Sequence, residues 1–250
     1  MHIDSLTRMA QDYLRTIFKV QEWSPQPVSI NELAERMEVA ASTASGNVRK
    51  LAADGLVQHQ PYGGVELTVA GRAAAVQMAR RHRLLETFLV ERLGYSWDEV
   101  HDEAENLEHA VSDTFIERIE ADLGFPTHDP HGDAIPDREG VMVATNASGL
   151  ADVGAGGCGV ITRISDDDPA VLRYLSGHGI AVGTHVRVLE RHEGPGVVSV
   201  AVTSANDDAA AAGAHAALGA VATEERIDLG LAAARTIWLG ADAHQSSVRT

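Results

Sequence analysis

The chain has 250 residues, 44% of them hydrophobic, and a formal net charge of −16; this is enough apolar material for one large globular domain or two ordinary ones. No apolar run approaches the ~20 residues of a membrane span, and the single cysteine, Cys158, excludes an intrachain disulfide and a cysteine metal cage. The start, Met1-His2-Ile3-Asp4-Ser5, has neither a basic nor an apolar leader segment, so no secretion signal is expected and a cytoplasmic location is the default.

So acidic a chain is an unusual partner for nucleic acid, but its charge is unevenly spread. Residues 76–140 hold six Lys/Arg against sixteen Asp/Glu, whereas residues 1–75 hold seven against eight. The excess acid therefore lies outside the N-terminal stretch.

In chain order, Leu6, Met9, Tyr13, Ile17 and Val20 recur at helical spacing and predict an amphipathic first helix, closed by Pro25 and Pro27. Ser29-Ile30-Asn31-Glu32 is a capping box that opens a short helix. After a brief turn comes a second short helix, with Ala44, Val48 and Leu51 inward. The pair reads as a helix-turn-helix. Strands at 57–61 and 65–68 around Tyr62-Gly63-Gly64 would add a hairpin wing. In this winged-helix pattern Ser42, Thr43, Ser45, Gly46 and Asn47 would face the major groove, and Arg49 and Lys50 would reach phosphates. A protein-binding face would favour aromatic and apolar anchors over these small polar residues.

Thr68 can cap a helix over 69–79, continued by a second helical segment over 80–93 that ends at Gly94. Ser96-Trp97-Asp98-Glu99 reads as a further capping box, opening one long helix to about Leu123. Its apolar seam is Val100, Ala104, Leu107, Val111, Phe115 and Ile119, suited to subunit contact. Beside the seam, His101, Glu105, Glu108 and His109 fall on one stripe, at about 100° per residue. His82 and Glu86 make another i, i+4 pair. An exposed salt-bridged face would explain one such pair; three histidines and three glutamates together point to a divalent metal. Imidazole and carboxylate donors without thiolate suit Mn²⁺, Fe²⁺, Co²⁺ or Ni²⁺, and Zn²⁺ where geometry allows.

The segments Arg81-His82-Arg83-Leu84-Leu85-Glu86 and Val100-His101-Asp102-Glu103-Ala104-Glu105-Asn106-Leu107-Glu108-His109 resemble the diphtheria-toxin-repressor family of metal-dependent regulators. Asp12-Tyr13-Leu14-Arg15-Thr16-Ile17 is similar to the family's first helix, and Asp54-Gly55-Leu56-Val57 to the end of its recognition helix. The resemblance covers roughly residues 6–140. It implies a homodimeric transcription factor, not an enzyme, that binds a palindromic double-stranded operator when metal-loaded and represses metal-uptake genes. It implies a primary metal site at Asp12, Glu105, Glu108 and His109, and a second site using His82, Glu86 and His101. The family's iron-sensing branch has Met and Cys where this chain has Asp12 and Glu105. The resemblance is therefore to the manganese-responsive, two-domain branch, and hard oxygen donors agree with Mn²⁺. Two ions per subunit are expected, with Fe²⁺ or Co²⁺ as the alternatives; neither a membrane nor a small organic ligand is expected as partner. One departure stands out: short manganese regulators of the family carry Glu one turn after the first-helix Asp, and this chain has Arg15. Its second site should then follow the longer members.

After residue 140 a Gly/Ala-rich linker is expected, then strands over 158–164, 184–189 and 197–202 punctuated by Gly183, Gly194, Pro195 and Gly196. They read as a small β domain, compatible with the SH3-like domain of the longer family members. Asp168 before Pro169 looks like a helix N-cap with Pro at N1, and Gly177 fits the helix end. In two-domain relatives a carboxylate near this point reaches the second metal, so Asp168 is also a tentative ligand. His178, His185, His192 and His215 show no ligand spacing and read as surface residues. Residues 207–216 read as a loop or short helix, 227–239 as a final helix, and the last two residues as a frayed tail.

The expected fold class is mostly α: an N-terminal winged helix-turn-helix over 1–75, a helical metal-binding and dimerisation domain over 76–140, a linker over 141–157, a small SH3-like β domain over 158–230, and a C-terminal helix and tail over 231–250. The expected function is manganese-dependent DNA-binding repression, with an iron(II)-dependent regulator of the same family as the alternative. A binuclear metallohydrolase could use the same donors. It would need an open coordination position and a substrate pocket, and the helix-turn-helix would go unexplained.

Overall fold

The structure is a computed structural model that describes residues 3–24, 26–60, 64–144, 146–203 and 224–240. The chain divides into two compact units: residues 1–95, 102–129 and 134–143 form a helical unit, and residues 96–101, 130–133 and 144–250 form a β-rich unit. Among the described residues no helix is long and apolar enough to cross a membrane.

In the helical unit, α1 (Arg8–Trp23) starts where the Thr7 hydroxyl accepts from the Ala10 amide, and it buries Tyr13, Leu14, Ile17 and Phe18. Ser29 caps as expected: its Oγ accepts from the Glu32 amide at 3.1 Å and starts α2 (Ile30–Arg36), while the Glu32 carboxylate pairs with Arg36 at 3.5 Å. Helix α3 (Ala41–Ala53) buries Ala44, Val48 and Leu51, the three inward positions of the sequence pattern. The wing is an antiparallel pair, β1 (Val57–Gln60) with β2 (Gly64–Leu67). One apolar cluster ties these parts together, joining Tyr13, Leu14, Ile17 and Phe18 to Leu33, Val48, Leu51, Leu56 and Val65.

Helix α4 (Val69–Leu93) begins at the Thr68 cap and ends at Gly94, which takes the left-handed conformation (φ 75°) that glycine adopts without a Cβ penalty. It is one uninterrupted helix, not the two segments expected. Gly71 is required by close approach, since a Cβ there would lie 1.8 Å from the Leu56 carbonyl oxygen. The middle of α4 is buried yet charged: Arg80, Arg81, His82, Arg83 and Glu86 are all inside. Each arginine has a carboxylate partner, Glu120 for Arg80 at 2.7 Å, Asp4 and Asp113 for Arg81 at 2.9 and 2.5 Å, and Glu22 for Arg83 at 2.6 Å. Unpaired, such buried charges would cost several kcal/mol each, on the order estimated for desolvated ions.

The single long helix expected over 96–123 is two helices. The Ser96–Glu99 contact forms, with the Ser96 amide donating to Glu99 Oε1 at 3.1 Å, but it closes a turn ahead of α5 (Val100–Glu108). The chain leaves helical geometry at 109–112, and α6 (Asp113–Asp122) restarts with Ser112 as N-cap, its side chain accepting from the Phe115 amide. Ser112 followed by an acidic first turn is a strong local start signal, and it overrides the longer apolar periodicity.

The β-rich unit is an antiparallel sheet whose six described strands run in the order β3-β8-β4-β5-β6-β7. They are β3 (Ala147–Gly149), β4 (Cys158–Ile164), β5 (His185–His192), β6 (Val197–Thr203), β7 (Glu224–Gly230) and β8 (Ile237–Gly240). Between β4 and β5, α7 (Pro169–Gly177) buries Leu172 and Leu175 against the core of Ile161, Ile164, Val188, Val200 and Leu229. Two expectations are corrected here. The Gly/Ala-rich linker contains β3, paired with β8. The final helix over 227–239 is β7, the short α8 (Leu231–Ala234) and β8. Ile227 and Leu229, and again Ile237 and Leu239, alternate inward at strand spacing. The expected loop or short helix at 207–216, with His215, and the expected tail lie outside the described residues.

Candidate metal centre and DNA-facing helix

Asp12 opens the second turn of α1, Glu108 ends α5, and His109 occupies the turn that follows. Loss of helix after Glu108 thus sits where these three side chains meet. One donor atom from each of these three residues lies within 4.8 Å of the other two. His109 Nε2 is 2.7 Å from Asp12 Oδ1 and 3.4 Å from Glu108 Oε1. All three atoms are buried, and none has a hydrogen-bond partner among the described residues. Buried polar atoms left in this state are costly, so the donor set fits a cation. The other face of the imidazole is spoken for: His109 Nδ1 donates to Gln11 Oε1 at 2.6 Å. That bond keeps a proton on Nδ1 and leaves Nε2 as the ring atom turned to the carboxylates and offered to a metal, the usual arrangement of a metal-binding histidine.

Glu105, the fourth residue of the implied primary site, is not in this group. Its carboxylate is bound by Arg15 Nη2, and its side chain is 44% exposed. Arg15 Nε also lies 3.4 Å from Glu108 Oε1, and Arg15 Nη1 lies 2.9 Å from His82 Nδ1. His82 faces two carboxylates, Glu108 through Nδ1 at 2.7 Å and Glu86 through Nε2 at 2.9 Å. In the β-rich unit His101 Nδ1 lies 3.3 Å from Asp166 Oδ2.

The electrostatics follow from these contacts. Burial pushes the Glu108 carboxyl up, but Arg15, then His82 and His109, outweigh it and hold the pKa below the ordinary value. Burial pushes Asp12 up; His109 and Arg15 oppose the shift, Glu108 and Glu105 add to it, and the pKa ends raised. Burial acts to lower the Arg15 pKa, but Glu108, Glu105, Glu86 and Asp12 together leave it raised. Without a metal, ionised Asp12 is therefore the strained member of the cluster and Glu108 the well-compensated one.

Asp168 accepts a hydrogen bond from the Ala170 amide at 2.8 Å and caps α7, with Pro169 at the first helical position. It is exposed, whereas Asp166, two residues earlier, is buried and is the carboxylate brought to His101. Counting along the Asp166-Asp167-Asp168 run does not separate the three; burial does. Sequence reasoning also missed Gln11, which carries no spacing signal and matters only through the His109 ring, and the role of Arg15 as counterion.

On α3, Ser42, Thr43, Arg49 and Lys50 are exposed, and Ser45, Gly46 and Asn47 are half-buried. Asn47 Nδ2 donates to the Tyr13 hydroxyl at 3.2 Å, linking the helix to the residue next to Asp12. Arg49 Nε donates to the Ser45 carbonyl at 3.3 Å.

Three family models match the chain: the iron dependent repressor N-terminal DNA binding domain over residues 5–65, the iron dependent repressor metal binding and dimerisation domain over 68–137, and the FeoA domain over 149–212. A solved structure described as a manganese-dependent transcriptional repressor in complex with manganese is 51% identical, covers 93% of this chain and 99% of its own, and superposes with a TM-score of 0.83. This chain belongs to the diphtheria-toxin-repressor family. Other members include the manganese regulator SloR, 31% identical over 95% of this chain and 100% of its own with a TM-score of 0.73. The iron-dependent repressor IdeR of Mycobacterium leprae is 36% identical over 62% of this chain, and a diphtheria toxin repressor of Corynebacterium efficiens 37% identical over 57%. The aligned region spans 61% and 56% of the length of those two curated relatives. In this diphtheria-toxin-repressor chain the first two matched regions cover the helical unit's helix-turn-helix and the Asp12–Glu108–His109 cluster, and the third covers β4, β5 and β6 of the β-rich unit.

Proposed function

We propose that the protein is a manganese-dependent, DNA-binding transcriptional repressor that acts in the cytoplasm as a homodimer on a palindromic operator. The observation that carries this reading is the convergence of Asp12 Oδ1, Glu108 Oε1 and His109 Nε2, three buried atoms without hydrogen-bond partners among the described residues, in the same unit as the helix-turn-helix. Similarity to a manganese-bound repressor supports the choice of metal, as does a donor set of hard oxygens and one imidazole. A bound divalent ion supplies the positive charge that lets the buried carboxylates stay together. A second ion per subunit is proposed at His82 and Glu86 with His101, on the sequence pattern and the family resemblance.

The chain's own residues supply the coupling. Asp12 rides on α1, and α1 packs through Tyr13, Leu14 and Ile17 into the core that holds α3. Fixing Asp12 against Glu108 and His109 fixes α1, and the Tyr13–Asn47 bond passes that restraint to the proposed recognition helix. Ser42, Thr43, Ser45 and Gly46 then face bases, Asn47 of the expected set being held to Tyr13, while Arg49 and Lys50 face phosphates. In a dimer, two such helices would meet successive major grooves about 34–36 Å apart. Exposed Val69 and Phe115, with Val69, Val76 and Ile116 lining an open groove between α4 and α6, support subunit contact on that side.

The test is operator binding by mobility shift at fixed salt, with Mn²⁺, Fe²⁺, Co²⁺, Ni²⁺ and Zn²⁺ at matched free concentration. Mn²⁺ should tighten binding most at the lowest free metal. Equal operator affinity with and without Mn²⁺ refutes the reading; a preference for Fe²⁺ moves the protein to the iron-responsive alternative.

A further inference from the structure

Arg15 lies on α1 one turn after Asp12, buried, with its guanidinium turned into the carboxylate cluster. Nη2 holds Glu105, Nε faces Glu108 Oε1 at 3.4 Å, and Nη1 faces His82 Nδ1 at 2.9 Å. Glu108 Oε1 is the same oxygen that faces His109 Nε2 at 3.4 Å. A single oxygen therefore serves both the guanidinium and the donor cluster. Glu105, one turn before the cluster on α5, is turned away from it by the same arginine.

We propose that Arg15 is a built-in competitor of the metal: it holds Glu105 out of the Asp12–Glu108–His109 donor set and neutralises Glu108, so an ion gains its full ligand set only by taking both carboxylates from Arg15. This rests on the metal-site reading given above. Competitor and donor share one helix, so a change in partner at Arg15 is a change in how α1 is held. The planar guanidinium spans both carboxylates at once, which a lysine ammonium cannot do. The competition sets the metal affinity below what four free donors would give. A regulator of this kind needs such a limit, because it must release its ion when supply falls.

The alternative is that Arg15 is only a counterion that keeps Glu108 and α1 in place. The two accounts predict opposite signs. A structural counterion, once removed, disorders the site and weakens metal binding; a competitor, once removed, strengthens it. The experiment titrates the full chain with Mn²⁺ in the absence of DNA and follows loss of the free-ion electron paramagnetic resonance signal. Arg15→Gln should bind Mn²⁺ at least about tenfold more tightly, the scale of one charge interaction in a partly solvated site, and Arg15→Lys should show a smaller gain. Adding Glu105→Gln to Arg15→Gln should return most of the gain, because the freed Glu105 is the donor recovered. Lys retains the charge and guards against a Gln variant that does not fold. Equal or weaker Mn²⁺ binding by the folded variants overturns the inference, as does a gain undiminished by Glu105→Gln. His109→Ala tests the site itself: persistent tight binding in that variant removes the site and the inference together, whereas loss there with no gain from the Arg15 variants removes the inference alone.

Discussion

Glu108→Ala and His109→Ala should both abolish tight Mn²⁺ binding, yet differ sharply in what they do to the metal-free fold. Glu108 is fully buried and lies 2.7 Å from His82 Nδ1 and 3.4 Å from Arg15 Nε. Removing it leaves the buried Arg15 with His82 and, as its remaining paired carboxylate, Glu105, whose side chain is 44% exposed. Breaking one side of a buried charge network costs about 3–5 kcal/mol, against a total stability of about 5–15 kcal/mol. The His109 ring donates a hydrogen bond to Gln11 at 2.6 Å, worth about 1 kcal/mol net. Its loss also takes a compensating partner from Asp12, so roughly 1–2 kcal/mol is expected in all. A gap of about 2 kcal/mol corresponds to urea midpoints roughly 1 M apart for m near 2 kcal/mol/M. The assay is urea unfolding in chelator, followed by far-ultraviolet circular dichroism, which reports chiefly on the helical unit. Midpoints that coincide for the two variants would refute the account of Glu108 as the counterion of Arg15.

Asp12→Asn should lose Mn²⁺ binding while making the metal-free protein more stable at neutral pH, because burial and the neighbouring glutamates raise the Asp12 pKa. For a carboxyl raised in the fold, the ionised form is penalised above its folded pKa. The gain from Asn should therefore be full at pH 7, shrink as pH falls through that raised value, and vanish below about 3.9; a gain independent of pH would assign it elsewhere. Glu108 has the opposite sign: its contribution is present at neutral pH and is lost as pH falls from the ordinary carboxylate range through its lowered pKa, so an acid melt of Glu108→Gln should lack that component. Tyr13→Phe removes the acceptor for Asn47 and should leave Mn²⁺ affinity intact while weakening metal-dependent operator binding several-fold; unchanged operator affinity would show that the bond passes nothing to α3. Gly46 meets no atom within 4 Å of an added Cβ and sits inside a helix, so Gly46→Ala should stabilise the protein by about 0.5–1 kcal/mol. A fall in operator affinity in the same variant would locate close DNA approach at Gly46. Gly71→Ala should be strongly destabilising by thermal melt, because its Cβ would collide with backbone at Leu56.

The winged helix-turn-helix was legible because each of its elements carries its own signal. Ser29 and Thr68 cap helices in the structure as their neighbours in sequence demand, and Ala44, Val48 and Leu51 are buried as their spacing requires. The helix read over 227–239 failed because Ile227, Leu229, Ile237 and Leu239 suit a strand period as well as a helical one; pairing with β6 and β4 decided between them. The long helix over 96–123 failed at Ser112, where a local cap signal competes with an apolar seam that continues beyond it.

The sequence alone determined the family resemblance, the helix-turn-helix and the donor chemistry, since these rest on residue types at short, regular spacing. It placed His101, Glu105, Glu108 and His109 on one stripe, and for an ideal helix that is correct. Only the tertiary structure divided them. Helix α5 stops at Glu108, His109 turns on the Gln11 hydrogen bond toward Asp12, and Glu105 stays with Arg15. Asp12, Gln11 and Arg15 lie some ninety residues away along the chain, and no local periodicity carries that distance. Which carboxylate is free to bind an ion and which is held by an arginine is a question of buried charge balance, and that balance exists only once α1 is packed beside the end of α5.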